Sequence, residues 1–599
     1  MIRFPIYVFF VLLFFCPYLI AQSQVDYEFD PIIVTASRFP ATLSHLARNV
    51  TVIDSVQIST APVHNIQDLL SYVGSVELKR RGAHGIQAEA GIRGGSFEET
   101  LILVDGVKMN NPQTAHHNLN FPIAPGDVDR IEILHGHGSG IYGADALAGV
   151  INIITKRKIL NSVDVYGGDY KLAGGYLSLG KQTGIMQNNI SVHASRSDGY
   201  ISNTDFETVN VFTSSSLNLK NTRINFRAGY NDKDFGANSF YSATYPDQRE
   251  FTHSFLSAVN AEIFRGNYSI APQISWKKHN DEFILDYTRP NWFRNKHTGN
   301  SLGVEIPVTI ETKLGLFSFG GKYENERLRS SNLGDHKREL GGVFFDYQTI
   351  LRNRVIINAA SHLFYYSKWG WKFWPGIDIA YKLNDKFKMY GSAGRSFRIP
   401  SFTELYYKSP ANMGNPDLIY SQAVSIETGI SRQTKQSRTN VGLFFRDGKN
   451  MIDWARENST EPWQVMNITR LKTRGIEVSY QYSPAARYLS RVQLDFTYLD
   501  SYRQTAGFQS KYLLKYLKFK ANFSCVFRLP FSVTAIWNLK YVKPQNDKNY
   551  SVTDMAFYKK INERKVYIKI SNLFNTDYFE IEGVSMPGRW FSAGIQQNF

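Results

Sequence analysis

Apolar and polar residues alternate one by one through most of this chain. From about residue 160 onward, segments of about eight to twelve residues keep a period of two and are separated by polar turns. In Thr222–Tyr230, Ile224, Phe226, Ala228 and Tyr230 share one face, and Arg223, Asn225, Arg227 and Gly229 share the other. Arg491–Tyr498 sets Val492, Leu494, Phe496 and Tyr498 against Arg491, Gln493, Asp495 and Thr497. Gly475–Tyr482, Gly376–Leu383 and Gln187–Arg196 repeat the pattern. Successive side chains of a strand point to opposite faces, so each segment predicts a strand with one apolar face. Residues 30 to about 158 read differently. They hold short apolar strands such as Leu101–Val104 and Gly149–Thr155, a helix predicted over Asn65–Val73, and glycine-rich turns at Gly94–Gly95 and Gly136–Gly143.

A soluble sandwich would turn the polar faces outward and bury the apolar ones against a second sheet. Here the polar face mixes glycine, charge and amide, as a wet or plugged lumen does, and many apolar rows end in Tyr or Phe, as membrane girdles do. An aromatic content of 14% fits such an interface better than a core alone. Lipid tolerates no unpaired backbone, and no segment of this region is helical enough to cover a sheet edge, so closure is expected. At about 20 residues per strand and connection, the region holds about 22 strands, a width that requires a plug. The fold class is thus all-β transmembrane: an about 22-stranded antiparallel β-barrel with an N-terminal mixed α/β plug domain in the lumen. In Trp590–Phe599, Phe591, Ala593, Ile595 and Phe599 share a face, with Gln597 the exception, and this segment is expected to close the barrel.

Met1–Arg3 carries one basic charge, Tyr7–Phe15 is continuously apolar, and Leu19–Ala21 offers a small residue at a cut. That layout predicts a signal peptide over 1–21, with a membrane anchor as the alternative reading. Of the two cysteines, Cys16 falls inside that segment and Cys525 remains, too few for a disulfide framework or a thiolate zinc site. No other apolar run reaches 18 residues, which excludes further membrane helices but not a barrel. The net charge of +16 is compatible with an anionic ligand or with lipopolysaccharide phosphates and selects no fold. The run Gly136–Gly140 lacks the Gly-Lys-Ser/Thr ending and the strand–helix context of a phosphate-binding loop, and tight turns explain it.

With this order of elements, the chain resembles the TonB-dependent outer-membrane receptors over essentially its whole length after residue 21. Asp30, Pro31, Ile32, Ile33, Val34, Thr35 and Ala36, continuing to Phe39, resemble the family's energy-coupling box, in the form found in vitamin B12 receptors. Ile92–Gly94, Ile102–Val107, Val128–Ile133, Gly140–Gly143 and Gly149–Lys156 follow the run of its plug. Phe397–Tyr406, Gly414–Leu418, Asn572–Phe574 and Pro587–Arg589 follow its barrel. The implied domains are a signal peptide at 1–21, a periplasmic coupling segment at 22–40, a plug at 41–158 and a barrel at 159–599. Pro31 and the β-branched residues after it disfavour helix and suit strand addition, and the resemblance implies TonB as the partner that pairs there. It also implies that Arg93 and Arg130 of the plug pair with Glu427 and Glu477 of the wall. Both glutamates alternate onto polar faces of their strands, which independently points them into the lumen.

The resemblance implies transport and no enzymatic step. It leaves the cargo among metal chelates: a corrinoid such as cobalamin first, a ferric siderophore as the alternative, and a passive porin or adhesion barrel as a remote one. The plug loop with Asn111, Gln113, His116 and His117 and the barrel loop with Asn238, Phe240, Tyr241 and Tyr245 are expected to meet the ligand. Asp232, Asp234 and Asp247 are the thin cluster that would bind structural calcium in the extracellular loops; no other cofactor is expected. The expected surroundings are outer-membrane lipid and lipopolysaccharide, with no nucleic acid.

Overall fold

The computed structural model describes residues 31–159, 161–503 and 507–599. The predicted signal peptide and Asp30 lie outside the described residues.

Twenty-two strands, each antiparallel to its neighbours, form a closed barrel. Alternation produces the wall as its period requires. Along Thr222–Gly236, Asn225, Arg227, Asn231 and Lys233 are buried toward the lumen, whereas Phe226 and Tyr230 are exposed on the outer face. Ile274, Trp276, Leu302 and Val343 extend that outer apolar surface on later strands. The strands run longer than the alternating segments suggest: Trp463–Tyr482 and Ser437–Arg456 each hold 20 residues. Toward the far end of Ser437–Arg456 both faces are buried, with consecutive Met451 and Ile452 covered alike, so the alternation of apolar and polar residues is lost there. Trp590–Asn598 pairs with Arg564–Ser571 on one side and with the first wall strand, Ser162–Gly168, on the other. Phe591 and Ile595 face outward there, as their alternation predicts.

The lumen is filled by the N-terminal domain. Its central sheet runs in the order Val50–Ile53, Val128–His135, Gly149–Thr155, Thr100–Val104, Val107–Lys108, with one parallel pair, Thr100–Val104 beside Gly149–Thr155. Ile131, Ile133, Ile151 and Ile153 are fully buried between this sheet and the short helices Ser55–Thr60 and Ile66–Leu70. Asp54 caps the first helix by accepting from the Gln57 N–H, and Gln57 bonds back; Asn65 caps the second. The second helix covers only part of the predicted Asn65–Val73, because its C-terminal residues turn into the strand Val76–Arg81. Inside the glycine-rich run, Ser139–Tyr142 forms one helical turn instead of a plain loop.

Wall lysines reach inward and donate to plug backbone carbonyls. Lys277 Nζ meets Met109 O at 2.6 Å and Asn110 O at 2.5 Å, and Lys520 Nζ meets Val73 O and Val76 O, both at 2.7 Å. Lys233 reaches Gly85 O and Ile86 O, Lys388 reaches Leu46 O, and Lys569 reaches Val63 O. Each contact gives a plug carbonyl a charged donor from the wall, so part of the chain's basic excess serves the plug–wall junction.

Deleting residues 590–599 is expected to leave Ser162–Gly168 and Arg564–Ser571 as two unpaired edges in lipid and to block assembly. Heat-modifiable mobility of outer-membrane fractions measures it; a folded, heat-modifiable barrel recovered from the truncated strain would contradict the closure.

Candidate functional site

Residues 32–36, expected from the sequence to couple energy, are folded against the plug. Ile32 and Ile33 pair antiparallel with Thr42 and Ala41. The Val34 N–H donates to Glu132 Oε2 at 3.0 Å and the Thr35 hydroxyl to the same oxygen at 2.6 Å. Ile33, Thr35 and Ala36 are buried; Ile32, at 55% exposure, points to solvent. Strand addition, as expected for this run, needs an open backbone. The structure instead occupies it, because Glu132 offers a buried carboxylate where the extended chain passes.

Arg130 belongs to this arrangement and not to the wall, which corrects the expected pairing. It lies two residues before Glu132 on Val128–His135, hence on the same face of the strand. Its Nε donates to Glu132 Oε1 at 2.8 Å, and a second nitrogen pairs with Asp129 at 2.9 Å. Arg130 therefore orients the carboxylate that holds Val34 and Thr35.

Arg93 alone takes both wall glutamates. Its Nε and Nη2 donate to the two oxygens of Glu477 at 2.9 and 2.7 Å. Its Nη1 and Nη2 donate to Glu427 at 2.7 and 3.1 Å. The wall strand between the two glutamates contributes Phe444, whose ring lies 4.5 Å under the guanidinium. Arg93 and Gly94 both have positive φ (51° and 68°), and this tight turn throws the side chain outward from the plug. Burial opposes the charge, but the two carboxylates override it and hold the guanidinium pKa well above its ordinary value.

Above the plug opens a cavity of about 1010 Å³. Of the predicted ligand contacts, Gln113, His116, His117, Phe240 and Tyr241 line it. Asn111, Asn238 and Tyr245 do not. Asn111 is buried and accepts from the Gln113 N–H, Asn238 donates to Ser202 O, and Tyr245 sits against Trp292 with ring centroids 5.5 Å apart. Each of the three is spent on loop geometry. His116 Nδ1 lies 2.5 Å from Glu89, which is also paired with Arg81. Burial pushes the Glu89 carboxyl up, yet Arg81 and His116 outweigh it and hold its pKa at about 2. The opposite wall supplies residues that no spacing in the sequence joins: Trp454, Arg456, Trp463, Lys511 and Tyr512. Arg456 lies 4.3 Å over the Trp463 ring, and Lys511 5.4 Å over Trp454. The lining as a whole carries nine carboxylates and seven Lys or Arg side chains, so the chain's net positive charge is not concentrated here.

The three aspartates proposed for calcium are not brought together. Asp232 and Asp234 face away from the lumen, where Asp232 meets His253 at 2.9 Å and Asp234 meets Arg249 at 2.7 Å. Asp247 is exposed in the following loop. Their period-two spacing puts Asp232 and Asp234 on the outer face of one strand, and basic neighbours satisfy them there.

Two substitutions test these arrangements. Glu427→Gln with Glu477→Gln strips a buried guanidinium of both counter-charges, at a cost of about 3–5 kcal/mol to plug seating. The barrel, held by strand pairing, is expected to assemble while bilayer conductance and sensitivity to large antibiotics rise; unchanged conductance would refute the role of the pair. Glu132→Ala removes two hydrogen bonds to a charged acceptor, about 1.5–3 kcal/mol each. A spin label at Ile32 is then expected to change from a constrained to a mobile spectrum, and an unaltered spectrum would show that Glu132 does not hold the segment.

Comparison with known proteins bears on the whole chain. The family model described as "TonB dependent receptor-like, beta-barrel" matches residues 156–573, and that of the "TonB-dependent Receptor Plug Domain" matches residues 42–150. The vitamin B12 transporter BtuB of Vibrio vulnificus is 25% identical over 479 residues, 75% of either chain. The protein of the same name from Photobacterium profundum is 22% identical over 95% of this chain and 96% of its own. Among solved structures, the siderophore receptor PirA from Pseudomonas aeruginosa superposes with a TM-score of 0.72 at 19% identity, over 92% of this chain and 99% of that one. This last likeness establishes the fold. With a closed 22-stranded wall, a plug in its lumen and both family models matched in order, the chain belongs to the TonB-dependent receptors, transporters of the outer membrane.

Proposed function

We propose that this receptor carries a corrinoid such as cobalamin across the outer membrane, with no chemical step of its own. The observation that carries the reading is the cavity. At about 1010 Å³ it lies at the top of the usual range for small-molecule sites, roughly 300–1,000 Å³, which suits a large rigid chelate. Its eleven aromatic side chains and near-balanced charges favour a ligand of broad apolar faces and little net charge. The vitamin B12 transporters among the relatives support the same reading. Energy would enter through residues 30–36, whose β-branched backbone can add to a strand of TonB once Glu132 releases it. Lipid and lipopolysaccharide would surround the outer apolar face.

A ferric siderophore is the second reading. Arg456 and Lys511 over Trp463 and Trp454 make a cation–aromatic wall that would also bind an anionic aromatic chelate.

Growth of a receptor-deleted strain, limited separately for cobalamin and for iron, distinguishes them. The corrinoid reading expects the cobalamin requirement to rise at least about tenfold, with growth on iron chelates unchanged, and restoration by the intact gene. A gene lacking codons 30–36 is expected to restore cyanocobalamin binding to cells but not growth. A defect confined to iron chelates would transfer the assignment to siderophores.

A further inference from the structure

A second cluster sits on the floor of the cavity, at the junction of plug and wall. His279 and Asp281 are two residues apart on Gln273–Ile284, so both turn inward, while Ile274 and Trp276 on the same strand turn outward. On the next strand His297 lies directly opposite Asp281 in the register. From the plug, the short turn Ala115–His117 brings His117 over them, its ring centroid 4.7 Å from that of His279.

The two wall histidines are held in the same manner. His279 Nδ1 is 2.8 Å from Ser254 Oγ and His297 Nδ1 is 2.7 Å from Ser330 Oγ, each serine being the cross-strand neighbour of its histidine. A ring fixed through Nδ1 presents Nε2 in a set direction, the arrangement in which metal-binding imidazoles are oriented by an outer partner. Both Nε2 atoms point at one carboxylate: His279 is 3.8 Å and His297 3.9 Å from the two oxygens of Asp281. These separations are too long for hydrogen bonds. They suit ligands sharing one ion, since two atoms about 2.0–2.1 Å from it stand up to about 4 Å apart. His279 Nε2 and Asp281 Oδ1 are buried with no hydrogen-bond partner, although the residues are only 4% and 5% exposed. One ligand atom each from His117, His279 and Asp281 lies within 4.8 Å of the others, and Glu250 adds a second carboxylate 3.3 Å from His117. Lys233 and Lys277 on the flanking wall direct their ammonium groups to plug carbonyls and not to these imidazoles.

We propose that His117, His279 and Asp281, with His297 beside them, bind a first-row divalent transition-metal ion that ties the apical plug loop to the barrel wall. Two or three imidazoles with one carboxylate suit zinc, cobalt, nickel or copper, whereas calcium and magnesium require oxygen ligands. Because His117 travels with the plug and the other ligands belong to the wall, a bound ion cross-links the two, and displacement of the plug loop breaks the site. His117, Asp281 and His297 also line the cavity, so the ion forms part of its floor. This site does not depend on the corrinoid reading.

The test uses tag-free, full-length receptor in detergent, stripped with chelator and titrated with Co²⁺ and with Cu²⁺. One ion per chain is expected, with visible d–d bands for Co²⁺ and nitrogen hyperfine coupling in the Cu²⁺ electron paramagnetic resonance spectrum. His117→Gln, His279→Gln and Asp281→Asn should each weaken binding at least about tenfold, and His253→Gln, on the outer face, should leave it unchanged. Absence of a retained ion or of nitrogen coupling in the unaltered receptor overturns the proposal, and that measurement needs no variant to assemble. Undiminished binding in a folded His117→Gln, His279→Gln double variant overturns it too. Cyanocobalamin binding to the same samples reports separately on the cargo.

Discussion

In hydrocarbon, every backbone N–H and C=O must find its partner within the protein, and this one constraint orders the rest of the molecule. A sheet obeys it only by closing, which is why Trp590–Asn598 pairs with every residue of Ser162–Gly168. Closure with twenty-two strands makes the lumen too wide for its own side chains to fill. The N-terminal domain fills it, and the inner face of the wall becomes a polar surface shaped to a second folded body.

The way that body is held follows from its location. Apolar contacts cross the junction, where wall residues Phe212, Leu256 and Ala258 join the plug core and plug residue Leu147 packs on Ala423 and Met451, and charge and hydrogen bonds are set among them. Arg93 bridges Glu427 and Glu477, Arg227 meets Asp105 at 2.9 Å, and Arg398 meets Glu98 at 2.9 Å. The wall lysines that donate to plug carbonyls add contacts in which a flexible cation replaces a sheet partner. Such contacts are strong while water is excluded and exchangeable once it enters, which suits a plug that must stay seated between transport events.

The two ends of the plug are tied to function by the same use of charge. On one end, Arg130 and Glu132 hold Val34 and Thr35 in a folded position against the plug. On the other, the loop with Gln113, His116 and His117 rises into the cavity and meets barrel residues drawn from distant strands. A metal ion at His117, His279 and Asp281 would make that upper contact sensitive to its surroundings in the way the lower one is sensitive to Glu132.

Strand identity, outward face and the inward aim of Glu427 and Glu477 were legible from the period of two, because alternation is a local property of a strand, and the plug followed from the width of a barrel of that strand count. The family motifs likewise lie in short runs, and the run around Val34 was singled out by its resemblance to the family's coupling box, its β-branching predicting only an extended backbone. Partner choice was not local. Arg130 reads as equivalent to Arg93 in sequence, yet one points along its own strand to Glu132 and the other is thrown to the wall by a turn with positive φ. Asp232 and Asp234 look like a cation cluster until their outer-face position beside His253 and Arg249 is known. His279, Asp281 and His297 carry no motif at all. Pairing of neighbouring strands sets Asp281 opposite His297, and only the seating of the plug brings His117 above them. The sequence by itself determined a closed, plugged barrel, since hydrophobic alternation and backbone pairing act residue by residue. The tertiary structure decided which charges meet, since that depends on strand register and on how one folded body sits inside another.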